Sequence, residues 1–183
     1  MKSASKYSQS LRRPFLQSPD RGAEAIVGMD IETLRALIRS TLTPLGLYSP
    51  NAEELLCATC AQESLLGAYR RQVGGPALGI FQMEPEDFND IWTTYLAYKP
   101  VLSAQIRALV PGLMVAPDLV NNDPLAIAMA RVHYLRAPGA LPAATDLQGL
   151  WAYYKAHYNT PEGAATQAQF VEHYQTLVKG PAS

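Results

Sequence analysis

Glu63 is the side chain in this sequence best placed to move a proton. It falls on a helical stripe with Leu56, Cys60 and Gly67, in the run PNAEELLCATCAQESLLG. A carboxyl on an apolar face is costly when charged, and its pKa rises accordingly. That is the environment a general acid working near neutral pH requires. Periodicity alone leaves a second reading open, in which Glu63 lies at the helix edge and reaches water. Sixteen residues after Glu63 stands Gly79-Ile80-Phe81-Gln82-Met83-Glu84-Pro85, and further on come two tyrosine-bearing segments, Tyr134-Leu135 and His157-Tyr158-Asn159.

The other reactive residue types offer less. Cys57 and Cys60 have Cys-x-x-Cys spacing, but they sit in mid-helix rather than after a strand, so two buried apolar side chains are expected. Two cysteines are too few for a disulfide framework or a four-ligand zinc site. His133, His157 and His173 do not fall at metal-ligand spacing with them, so neither a metal nor a cofactor is expected. Glu84, Glu86 and Asp87 read as the charged start of a helix. Arg70-Arg71 is either a solvated loop pair or a means of steering an anionic group. Trp151, Tyr153, Tyr154 and Tyr158 read as core aromatics before they read as a stacking surface.

The elements that must hold these groups are helical. Asp30 is an N-cap candidate for a helix carrying Ile31, Leu34, Leu37, Ile38 and Leu42 on one face. Pro44 and Gly46 end it. Ser49 and Pro50 start the helix bearing Glu63, with Glu53 and Glu54 in its first turn; it should run to about Leu66, before Gly67. Residues 68–82 hold Gly74, Gly75, Pro76 and Gly79, which predicts a loop or small hairpin. Helical character returns in EDFNDIWTTYLAY, SAQIRALV, LAIAMARVHYL, LQGLWAYYKAHY and TQAQFVEHYQTLV. Strand signals are nearly absent. The expected fold is therefore mainly α, one domain over residues 25–183 with at most a small β hairpin near 68–82. Residues 1–24, polar, basic and interrupted by Pro14 and Pro19, predict a flexible or partner-docking arm.

Composition narrows the function classes. The chain has 183 residues, 48% hydrophobic and 17% charged, with a formal net charge of −1. That balance is globular, and it provides no basic field for nucleic acid. No run of eighteen apolar residues predicts a membrane span. The N-terminus has positive charges but no continuous apolar segment, so a Sec-type signal is not expected.

Glu63-Ser64, Gly79 to Gln82 and Pro85, and the Tyr134-Leu135 and Tyr158-Asn159 segments occur in an order that resembles the lytic transglycosylase and goose-type lysozyme group, in the lysozyme-like superfamily. The resemblance covers about residues 50 to 165. In that group the catalytic helix ends in Glu-Ser, and a Gly-rich stretch leads to a Gly-Leu-Met-Gln-like motif followed by a proline. Ile80-Phe81 here replaces Leu-Met, and His157 replaces the alanine of an Ala-Tyr-Asn segment whose tyrosine contacts the catalytic glutamate. The resemblance implies a lysozyme-like fold and Glu63 as the catalytic acid, with Tyr158 orienting it; Tyr153 and Tyr154 are rivals for that role. It implies Ser64, Gly79, Gln82 and Asn159 as substrate-binding residues. The implied substrate is the peptidoglycan glycan strand, cleaved between N-acetylmuramic acid and N-acetylglucosamine to a 1,6-anhydro end.

Three functional readings follow. The first is a lytic transglycosylase, a lyase needing one carboxyl. The second is a muramidase, a glycosidase that needs a second carboxylate or a positioned water, for which Glu84, Glu86 and Asp87 are candidates. The third is non-catalytic: a structural or assembly protein of a phage virion, or a glycan-binding module that would tolerate loss of Glu63. Without a Sec signal, a phage endolysin in the host cytoplasm before its release to the wall, or a virion protein docked through its N-terminal arm, would reach the substrate.

Overall fold

The computed structural model describes residues 27–159 and 163–180, so the expected arm over 1–24 lies outside the described residues. The described chain is mainly helical. Helix α1 spans Ile31–Leu42 and α2 Pro50–Ser64. Helix α3, Pro85–Asp90, continues into a π turn and a 3-10 turn through Tyr98. Helices α4, Pro100–Arg107, and α5, Asp123–Leu135, follow. Helices α6, Leu147–Tyr154, and α7, Gln167–His173, each run on into a π turn, Lys155–Asn159 and Tyr174–Lys179.

The start signals act as the sequence predicts. The Asp30 carboxylate accepts the Thr33 N–H at 2.9 Å, and the Ser49 hydroxyl accepts that of Ala52 at 3.1 Å. Each satisfies a donor that the first helical turn leaves unpaired. Residues 68–82 form no strand; their pairing is confined to the isolated bridges Arg71–Leu78 and Leu78–Met83. Left-handed φ angles at Gly74, Gly79 and Gln82 keep turning the chain out of a ladder.

Helix α2 is the axis of the molecule. Every residue from Ala52 to Ala61 is buried, because α1, α5, α6 and α7 all pack on it. Cys57 and Cys60 are buried, free thiols within this packing, and burial pushes the Cys57 thiol up to about 12.

Glu53 and Glu54 are also buried, which their place in a first turn did not foretell. Arg35 donates to Glu53 at 3.0 Å and to Glu54 at 2.8 Å. Arg39 donates twice to Glu53, while Tyr174 and Lys179 donate to Glu54 at 2.6 and 2.8 Å. One polar cluster thus fastens α1 and the C-terminal turn to the start of α2. Burial pushes both carboxyls up, but the hydrogen bonds, from Arg39 and Arg35 on Glu53 and from Arg35, Lys179 and Tyr174 on Glu54, outweigh it. Both end below the ordinary value of 4.5. Their contribution to stability is therefore full above pH 4.5 and is lost as pH falls through the lower folded values. Arg35→Met should cost about 3 kcal/mol at pH 7 by leaving buried charge uncompensated. Urea denaturation should show that deficit narrowing as pH drops below 4.5; a pH-independent deficit would mean that packing, not charge, is lost.

Candidate active site

The C-terminal end of α2 departs from regular geometry. The helix stops at Ser64 rather than near Leu66, because Leu65 and Leu66 take left-handed φ angles of 51° and 56° before Gly67 at 84°. Left-handed backbone costs a side-chain-bearing residue about 1–2 kcal/mol, so it persists only where the surroundings enforce it. Gln82, at φ 47°, completes the set: among the described residues, these three are the non-glycine residues with positive φ. All three belong to the Glu-Ser helix end and the Gly79–Gln82 loop. Such outliers gather at functional sites.

Ser64 joins these two segments. Its buried hydroxyl donates to the Ile80 carbonyl at 2.6 Å and accepts the Gly67 N–H at 2.8 Å. Residues sixteen apart in sequence are thus held as one corner, directly beside Glu63. The role Ser64 shows in this structure is that internal seam.

Tyr154 donates its hydroxyl to Glu63, at 2.6 Å from Oε1. Tyr158, the expected partner, donates instead to the Phe81 carbonyl at 2.9 Å. A tyrosine has one hydroxyl proton, so Tyr158's is committed to the loop. The reason is geometric: Tyr154 is the last residue of α6 proper and is fully buried against α7, its ring 5.1 Å from that of Phe170. Tyr158, one π turn further on, is carried past the carboxyl to the loop. Period-4 spacing of Leu150, Tyr154 and Tyr158 along α6 and the turn after it was the available sequence signal for this pair.

Burial, followed by the negative charge of Glu63, raises Tyr154, Tyr134 and Tyr158 well above the ordinary tyrosine value, so all three keep their protons. Tyr134 sits against Thr59 at 2.8 Å; the Thr59 proton goes to the Leu55 carbonyl, which makes Tyr134 the donor. Its ring packs 5.2 Å from Tyr158 and 5.7 Å from Tyr153. Trp151 lies against Phe170 and Tyr154. The aromatic cluster therefore acts as the wall that holds the hydroxyls. His133 donates Nε2–H to the His157 carbonyl at 2.8 Å, and burial lowers its pKa.

Several residues expected to face a ligand do internal work in this structure. Gly79, at φ 73°, lies against the backbone of Leu119; a Cβ there would stand 2.3 Å from the Leu119 carbonyl oxygen. Its missing side chain thus admits protein backbone. The Gln82 amide nitrogen donates to the carbonyls of Gly79, at 2.8 Å, and Tyr69, at 3.2 Å, which fixes the turn. Asn159 accepts the Lys155 ammonium at 2.8 Å, and that ammonium also reaches the carbonyls of Gly163 and Ala165. Arg70 is bound to Asp123 and to the Val120 carbonyl, so it ties the loop to α5. Glu84, Glu86 and Asp87 start α3, and among the described residues no group of three or more potential ligands gathers as a metal site.

In chemical terms the arrangement is one half-buried carboxyl at a helix end, with a buried phenol donating to one of its oxygens. Beside it runs a rigid Gly-rich turn. A carboxyl held in one orientation this way can deliver a proton and take one back. Compared with protein families, curated proteins and solved structures, the chain matches none.

Proposed function

We propose that this chain is a peptidoglycan lytic transglycosylase with a lysozyme-like fold, in which Glu63 is the only acid and base. The observation that carries the reading is the Ser64–Ile80 seam. It brings the Glu-Ser helix end and the Gly79–Gln82 loop, the two most informative blocks of the resemblance, into a single corner.

In the first step, protonated Glu63 donates to the oxygen linking N-acetylmuramic acid to N-acetylglucosamine. The bond from that oxygen to C1 breaks, while the carbonyl oxygen of the muramic acid's own N-acetyl group bonds to C1. In the second step, the Glu63 carboxylate takes the proton of the C6 hydroxyl. The C6 oxygen then displaces the N-acetyl oxygen at C1, which closes the 1,6-anhydro ring and returns Glu63 to its acid form. One carboxyl suffices for both transfers, unlike the usual two-carboxylate arrangement. Tyr154 donates to Oε1, which holds the carboxyl in one orientation for both transfers. A wall substrate would be reached by release of a phage lysin or by a virion.

Mass spectrometry of purified peptidoglycan digested by the chain tests this. Anhydro-muropeptides are expected. Reducing ends would make the protein a muramidase, and an absence of products would leave a non-catalytic component.

A further inference from the structure

The strained turn behind Glu63 is held from two sides. Ser64 and Ile80 hold one. The other is the segment entering α1, far away in sequence. Met29 N–H donates to the Leu66 carbonyl at 2.8 Å. Gly28 lies so close that a Cβ on it would stand 2.2 Å from the Leu65 carbonyl oxygen and 2.8 Å from that of Leu66. Both atoms are backbone, so neither can swing aside as a side-chain tip would. Leu65 and Leu66 are the left-handed residues that stop α2 immediately after Glu63. Their own N–H groups are taken by the Ala61 and Cys60 carbonyls, which fixes the turn to the helix but not its outer face. That outer face is what Gly28 and Met29 cover.

We infer that Gly28 and Met29 are positioning residues for the reaction: by bracing the Leu65–Leu66 turn from outside, they set where the Glu63 carboxyl stands. This rests on Glu63 being the reacting carboxyl. A side chain at 28 must push the turn, and the end of α2 moves with it. Misplacing a reacting group by about 1 Å costs on the order of a hundredfold in rate, while residues remote from the turn keep their places.

The experiment compares the full chain with Gly28→Ala, Gly46→Ala and Glu63→Gln on soluble glycan strands. Gly46 is the control: it also has a left-handed φ, 67°, but nothing stands within 4 Å of its Cβ position, and it lies between α1 and α2 away from Glu63. Gly28→Ala should lower kcat at least about tenfold with KM little changed, whereas Gly46→Ala should lose Tm and keep kcat. A Gly28→Ala enzyme whose kcat falls no further than that of Gly46→Ala overturns the inference. Should Gly28→Ala not fold, Met29→Pro removes the N–H given to Leu66 and is judged by the same split. If Glu63→Gln keeps its rate, the proposed function fails instead. The brace is then decided by the carboxyl-carbon NMR titration of Glu63, assigned by its loss in Glu63→Gln. A midpoint moved by Gly28→Ala and not by Gly46→Ala supports it, and an unmoved midpoint sinks it.

Discussion

Glu63→Gln is expected to abolish glycan cleavage while leaving the fold and wall binding intact. Glutamine keeps the shape of glutamate, and its Oε1 can still accept the Tyr154 hydroxyl that lies 2.6 Å away in the native chain. Only the exchangeable proton is lost. General acid–base catalysis contributes about two to four orders of magnitude in rate. Here one carboxyl performs both proton steps, so the loss should lie at the upper end of that range or beyond. Removing a carboxyl that is costly to keep half-buried should leave Tm unchanged or slightly higher. Muropeptide release, with melting temperature and cell-wall pull-down as controls, checks this. A variant keeping more than about a tenth of the native rate would show that Glu63 is not the general acid.

Tyr154→Phe and Tyr158→Phe are expected to fail in different ways, although the two residues lie on one helix face with rings 6.2 Å apart. Tyr154→Phe removes the donor to the reacting carboxyl. A hydrogen bond to a charged group contributes about 1.5–3 kcal/mol, which in the transition state amounts to roughly ten- to hundredfold in kcat. Tyr158→Phe removes the donor to the Phe81 carbonyl in the buried loop. Leaving a buried acceptor unpaired costs about 1–3 kcal/mol of stability. So Tyr154→Phe should be slow and nearly as stable as the native chain, and Tyr158→Phe less stable and faster than Tyr154→Phe. Kinetics with both variants, alongside urea midpoints, separate the roles. The reverse pattern would restore Tyr158 as the residue that orients Glu63.

Much of the scaffold was legible in the sequence because its signals are local. Asp30 and Ser49 cap helices through N–H groups three residues away, and Pro50 opens α2. Such contacts form within one turn, so residue type and spacing alone specify them. The stripe of Leu56 and Cys60 likewise announced a packed helix with Glu63 near its end. The position of Glu63 in the chain, and that of the Gly-rich loop after it, could be read the same way.

What the sequence could not decide were contacts between distant segments. Tyr154, which donates to Glu63, lies 91 positions away, and the resemblance favoured Tyr158, with Tyr153 and Tyr154 as rivals, until the π turn after α6 carried Tyr158 past the carboxyl. Gly79 and Gln82 were visible as loop residues, but only the packed structure turned the glycine onto Leu119 and the amide onto Gly79 and Tyr69. Glu53 and Glu54 looked like first-turn charges until α1 and the C-terminal turn closed over them with Arg35, Arg39 and Lys179. The left-handed φ angles of Leu65 and Leu66 have no sequence signature, since leucine disfavours that backbone and the surrounding packing imposes it. The sequence by itself determined the helices and the carboxyl at the end of one of them, because those depend on neighbours in the chain. The tertiary structure alone decided which hydroxyl meets that carboxyl and what holds the turn behind it, because a hydrogen bond of 2.6 Å between residues 63 and 154 exists only once the helices bearing them have packed.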